Sequence, residues 1–248
     1  METSTRTPTT MTGSKRAISA ILSIVLGIAV VGSVGFTLHT AAADPQGVLL
    51  ATKSAEKIVV NGVSYPKASA TLGVYPDLAT AASDGFKINK IEYVQYGPST
   101  HLVLPAHTFV TLTIHAYDGG EKLNNPFFGR VIGTIGGTEN IDGVDVASVP
   151  ADGVQHTFTV HGIPSASQDP LFLNIPLPVV AVNDKGEFLP TTDPGTHFKG
   201  HTIKFSFITG GAGEYVWNCE YPCGDGSYRK FGAVMSKYGY MSGKVTVK

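Results

Sequence analysis

The sequence predicts an all-β sandwich behind a single apolar N-terminal segment, and three observations lead there. From Gly47 onward no long stretch repeats with a helical period. Short β-branched and aromatic runs recur instead, separated by Gly, Pro, Asn and Asp. Several of these runs alternate apolar and polar residues, the period of a half-buried strand. Regularly spaced strands with turn signals and no intervening helices point to an antiparallel sandwich or barrel.

The chain divides into residues 1–43, 44–87 and 88–248. The first part opens with polar residues, among them Arg6, Lys15 and Arg16, and continues as AISAILSIVLGIAVVGSVGFTL, uncharged from Ala17 to Leu38. That length matches the roughly 20 residues a bilayer core requires and exceeds the usual apolar region of a cleaved signal. Ala41, Ala42 and Ala43 supply the small residues of a cleavage site, so removal of the segment is the competing reading. Both readings leave the basic end in the cytoplasm and everything after Asp44 outside. The second part, 44–87, is expected as an extracytoplasmic extension packed on the sandwich, and 88–248 as the sandwich itself.

Composition narrows the function classes. With 248 residues, 42% hydrophobic and 15% charged, the chain can bury a core and is not a disordered polyelectrolyte. A formal net charge of −1 leaves no global electrostatic footprint for nucleic acid. Neither G-x-S-x-G nor H-E-x-x-H occurs, so no nucleophile elbow or zinc-hydrolase helix is present. The Gly-rich run from Gly129 to Gly137 has no Lys followed by Ser or Thr and opens no helix, which argues against a phosphate cradle.

The elements follow in order. KIVVNGVSY from Lys57 to Tyr65 reads as a strand, PDLATAASDGF near Pro76 as one short helix, and INKIEYVQY from Ile88 as a strand. In Thr108 to Tyr117 the inward set is Val110, Leu112, Ile114 and Ala116, leaving His107 and His115 on the other face. From Gln155 the inward set is Val154, His156, Phe158 and Val160; from His201 it is His201, Ile203, Phe205 and Phe207. Tyr215, Trp217 and Cys219 form the next set, and Met241, Val245 and Val247 the last. His, Cys and Met thus fall at the ends of inward-facing strand sets. Two long stretches, from Asp118 and from Ala166, read as loop insertions.

The order HLVLPAHTFVTLTIHAYD, VQHTFTV, AGEYVWNC and YMSGKVTV resembles the cupredoxin family. The resemblance covers roughly Ile88 to Lys248 outside the insertions and implies a Greek-key cupredoxin-like sandwich that binds copper. The chain also looks like membrane-anchored bacterial cupredoxin-like proteins with NPFFG and C-x-x-x-C-G elements. Cys219, Cys223 and Gly224 are spaced as in the dinuclear copper domain of cytochrome c oxidase subunit II, where both thiolates bridge two copper ions. The pattern departs further on: Ser227 stands where a His belongs and Lys230 where a Met belongs, and no His follows His201.

Carried over position by position, the resemblance makes His156 the early imidazole ligand, Cys219 and Cys223 the thiolates and Met241 the axial thioether. Any second imidazole would come from His201 or His161, neither of which matches the motif. Soft thiolate and thioether donors select copper. The implied function is outer-sphere electron transfer or copper delivery to a respiratory partner, by a carrier or binding protein rather than an enzyme. The alternative is a metal-free structural or interaction subunit with a Cys219–Cys223 disulfide, which an oxidising compartment favours. His156 also reads as a core-edge histidine, and Met241, Met235 and the Phe127, Phe128 pair as packing residues.

Overall fold

The computed structural model describes residues 13–42, 47–86, 93–118, 125–162, 167–180, 200–221, 223, 234–235 and 239–248. The chain forms two compact units, Met1–Ala43 and Asp44–Lys248. The first contains α1 (Gly13–Ala42). Its stretch Gly13–His39, whose most apolar 18 residues have a mean hydropathy of 2.5, is long and apolar enough to cross a membrane. At the α-helical rise it extends about 40 Å, against about 30 Å of hydrocarbon. Its hydroxyls are absorbed by the helix: Ser23 Oγ donates to the Ser19 carbonyl at 2.9 Å and Thr37 Oγ1 to that of Ser33 at 2.8 Å.

The second unit is built of β1 (Leu49–Leu50), β2 (Thr52–Val60), β3 (Val63–Tyr75), α2 (Leu78–Ser83), β4 (Gln95–Gly97), β5 (His101–Leu104) and β6 (Phe109–Ala116). It continues with β7 (Glu139–Ile141), β8 (Val144–Val146), β9 (Val154–His161), β10 (Leu173–Pro178), β11 (His201–Ile208), β12 (Gly213–Asn218) and β13 (Ser242–Val247). One sheet runs β1-β5-β13-β12-β9-β10; the other runs β2-β3-β6-β11-β7-β8, with β4 also on β3. Their facing sides share one core, in which Leu72, Leu112 and Phe205 of one sheet meet Leu102, Phe158 and Trp217 of the other. The rings of Phe158 and Phe205 lie 6.2 Å apart across the interface. The all-β sandwich is therefore observed.

Four details differ from the sequence expectation. The sheets are mixed, because β1–β5, β5–β13 and β3–β6 pair in parallel. KIVVNGVSY is not one strand but the turn of the β2–β3 hairpin. Asn61 and Gly62 both take positive φ, 50° and 81°, which suits the Asn-Gly pair of a tight hairpin. The stretch 44–87 supplies β1 to β3, hydrogen-bonded members of the two sheets. Both insertions contain strands: β7 and β8 in the first, β10 in the second. β10 lies at a sheet edge, where Pro176 and Pro178 are tolerated.

The short helix near Pro76 forms as α2, capped by Asp77, whose carboxylate accepts from the Ala79 and Thr80 N–H groups. Of INKIEYVQY, residues 88–96, only Gln95 and Tyr96 fall in a described strand, β4, and 87–92 lie outside the described residues.

Candidate metal centre

Three strands converge on one buried group. His156 is the third residue of β9, on the inward face with Val154, Phe158 and Val160. Cys219 directly follows β12, which pairs with β9 on one side and β13 on the other. Backbone bonds fix it on both flanks: the Cys219 N–H donates to the Met241 carbonyl at 2.8 Å, and the Glu220 N–H to Thr157 Oγ1 at 2.9 Å. The chain then curls, with the Cys223 N–H donating to the Tyr221 carbonyl at 2.8 Å, a three-residue turn. This curl brings Cys223 back beside Cys219.

The three donor atoms lie close together. His156 Nδ1 is 3.1 Å from Cys223 Sγ and 3.7 Å from Cys219 Sγ, and the two sulfurs are 3.5 Å apart. Both cysteines are free and buried, as is His156. Bond lengths of about 2.3 Å to sulfur and 2.0 Å to nitrogen at a tetrahedral ion space such donors about 3.5–3.8 Å apart. The donor separations fit a soft metal ion after a shift of a few tenths of an ångström at the imidazole.

The electrostatics of the metal-free group are those of a thiolate–imidazolium pair. Burial opposes charge on His156, but hydrogen bonds to Asp118 and Cys219 outweigh it and raise its pKa to about 9. Burial likewise opposes the Cys219 thiolate. Donation from Cys223, His156 and the Thr157 N–H, the last at 3.4 Å, still holds it well below the usual thiol range. Cys223 is pushed up by that hydrogen bond to Cys219 and by burial, and remains the thiol of the pair.

Two neighbours lie outside the ligand set expected from the sequence, Asp118 and Met235, the latter expected only as a packing residue. Asp118 Oδ2 accepts from His156 Nε2 at 2.7 Å, and the Asp118 side chain is itself nearly buried. Its signal was available: Asp118 lies two residues beyond Ala116 and so continues the inward parity of β6. The other is Met235, whose sulfur accepts the Cys223 N–H at 3.3 Å. Nothing in strand periodicity announces it, because it precedes the last strand.

Met241 is wholly buried and touches the group through its carbonyl, by way of the Cys219 bond. The structure does not bring His161 or His201 to the group. His161, five residues along β9 from His156, is on the opposite face, with Nε2 3.2 Å from Asn218 Oδ1. His201 begins β11 in the other sheet, its Nδ1 2.6 Å from Asp142 Oδ2. Ser227 and Lys230 lie outside the described residues.

Buried aromatic residues belong to the same core cluster as the two cysteines. Trp217 is fully buried, donates from Nε1 to the Thr100 carbonyl at 2.8 Å, and meets Tyr96 and Phe158 at ring separations of 4.6 and 4.9 Å. A Cβ at Gly243 would strike the Thr100 carbonyl and the Trp217 indole, so only glycine permits this approach.

No family model and no curated protein matches this sequence. Among solved structures the chain is similar to auracyanin B, at 13% identity and a TM-score of 0.30, over 79% of this chain and 98% of that one. It is also similar to rusticyanin from Thiobacillus ferrooxidans, a copper protein, at 16% identity and a TM-score of 0.28, over 73% of this chain and 77% of that one.

Proposed function

We propose that this chain is a membrane-anchored, extracytoplasmic copper protein that passes electrons, or the ion itself, to a respiratory partner. The observation that carries the reading is the convergence of two thiols and one imidazole nitrogen in a buried group formed by β9 and the residues that follow its partner β12. Soft sulfur donors with imidazole suit copper and zinc among the common biological ions. The motif order that resembles cupredoxins supports the same reading, and α1 would confine the domain near a membrane partner.

Copper, when bound, supplies a one-electron couple. Cys219, Cys223 and His156 would hold it, with the Met235 and Met241 thioethers as further soft donors from the same part of the chain. The backbone of Cys219 is held against β9 and β13, so its Cα cannot move without breaking those bonds. Trp217, Phe158 and Tyr96 exclude water, and the packed sandwich resists rearrangement of the donors. No bond to a substrate is made or broken in this scheme.

A second reading keeps the fold and drops the metal. With sulfurs 3.5 Å apart and no His after His201, Cys219 and Cys223 could instead close as a disulfide in an oxidising compartment. One experiment separates the two. The full-length chain, purified in detergent, is reduced, loaded with copper, freed of unbound ion and assayed for metal, while thiols are titrated in an unreduced sample. Stoichiometric copper in the wild type, lost in Cys219→Ser, supports the copper reading. A copper-free protein with no titratable thiols supports the disulfide.

A further inference from the structure

We propose that Asp118 is a positioning residue for this centre and sets its preference for a divalent over a monovalent ion. The inference rests on the metal-binding reading above. Its starting point is that the hydrogen bond from His156 Nε2 to Asp118 occupies one ring nitrogen. The other, Nδ1, is thereby directed at both sulfurs. A carboxylate behind a histidine fixes the tautomer and ring orientation and strengthens the nitrogen left for the ion.

Asp118 is itself held in place. Its carbonyl accepts the Val180 N–H at 3.3 Å. The preceding residue, Tyr117, donates its hydroxyl to Asp84 Oδ1 at 2.7 Å and stacks on Tyr75 at 5.8 Å. Tyr75 donates to the same carboxylate at 3.0 Å. The anchor therefore reaches from α2 through the end of β6 to His156, without involving the thiols.

Charge supplies the preference. With an ion bound, two thiolates and a carboxylate would gather in a buried group, and among the described residues no Lys or Arg forms an ion pair with it. A divalent ion leaves less uncompensated charge there than a monovalent one, and the attraction of the Asp118 charge for the ion scales with the ion's charge.

The test uses the full-length chain in detergent under anaerobic, reducing conditions, with Zn2+ and Cu+ dissociation constants measured by competition against chromophoric chelators. Asp118→Asn keeps an oxygen acceptor and removes the charge; Asp118→Glu keeps the charge. In Asp118→Asn, Zn2+ affinity falls by about tenfold to a hundredfold and Cu+ affinity by a smaller factor, so their ratio shifts. In Asp118→Glu the ratio stays at the wild-type value. Only folded molecules bind, so the ratio does not depend on how much of a variant folds. Equal weakening of both ions in Asp118→Asn, or none, overturns this inference and leaves the metal reading standing. Wild-type protein that binds neither ion overturns both.

Discussion

Of the four histidine–carboxylate pairs among the described residues, two are of nearly equal length and stand in opposite environments. His156 and Asp118 meet at 2.7 Å with side chains 2% and 11% exposed; His201 and Asp142 meet at 2.6 Å with side chains 28% and 46% exposed. Both histidines sit near the start of a strand whose alternation reads inward. Only the first ring has two sulfurs on its far side, because β12 delivers Cys219 alongside β9 and the chain curls back to Cys223. The His–carboxylate pair is thus not what distinguishes the centre. Burial and the cysteine turn do that, and they turn a surface contact into a buried set of donors.

The widest separation between the pairs is expected in stability. In the reduced, metal-free protein His156→Ala leaves a nearly buried carboxylate without its partner, at a cost of about 3 to 5 kcal/mol by denaturant titration. The sign with pH follows from the raised pKa of His156. Its stabilisation is complete below the ordinary value near 6.5 and is lost as pH rises through about 9, so the His156→Ala deficit shrinks over that window.

Glu139 sharpens the comparison as a buried carboxyl with no histidine. Among the described residues neither of its oxygens finds a hydrogen-bond partner, and burial raises its pKa to about 9. The folded state keeps a proton that the unfolded chain loses near pH 4.3, so wild-type stability declines from about that pH up to about 9. Glu139→Gln removes this slope. Midpoints of urea unfolding measured in mildly acidic and mildly alkaline buffer will show the variant gaining on wild type as pH rises.

The smallest effect belongs to the exposed pair. Asp142→Asn is expected to change stability by no more than about 1 kcal/mol in the same assay, as solvent screens the contact. A cost there equal to that of His156→Ala would break the comparison.

The same contrast shows what the sequence could convey. Alternation was enough to put His156, Phe158, Trp217 and Cys219 on inward faces, since a strand's period fixes parity without reference to its neighbours. It also placed His201 inward, yet at the first residue of β11 the ring turns to Asp142 at the surface, because strand ends are not enclosed by a partner sheet. Asp118 was passed over because a charged residue followed by two glycines reads as the opening of a loop. The β2–β3 turn was hidden in an otherwise β-branched run, although Asn61-Gly62 carried its signal. β10 was obscured by prolines that an edge strand accepts. Met235 depends on the path of the chain between Cys223 and β13, which no local pattern encodes.

The most direct test of the account is X-ray absorption at the copper edge of the loaded full-length protein. The account predicts a first shell with two sulfurs at about 2.3 Å and an imidazole nitrogen at about 2.0 Å, and no retained copper to give such a shell in Cys219→Ser. A shell of oxygen and nitrogen alone, unchanged by that substitution, would contradict it.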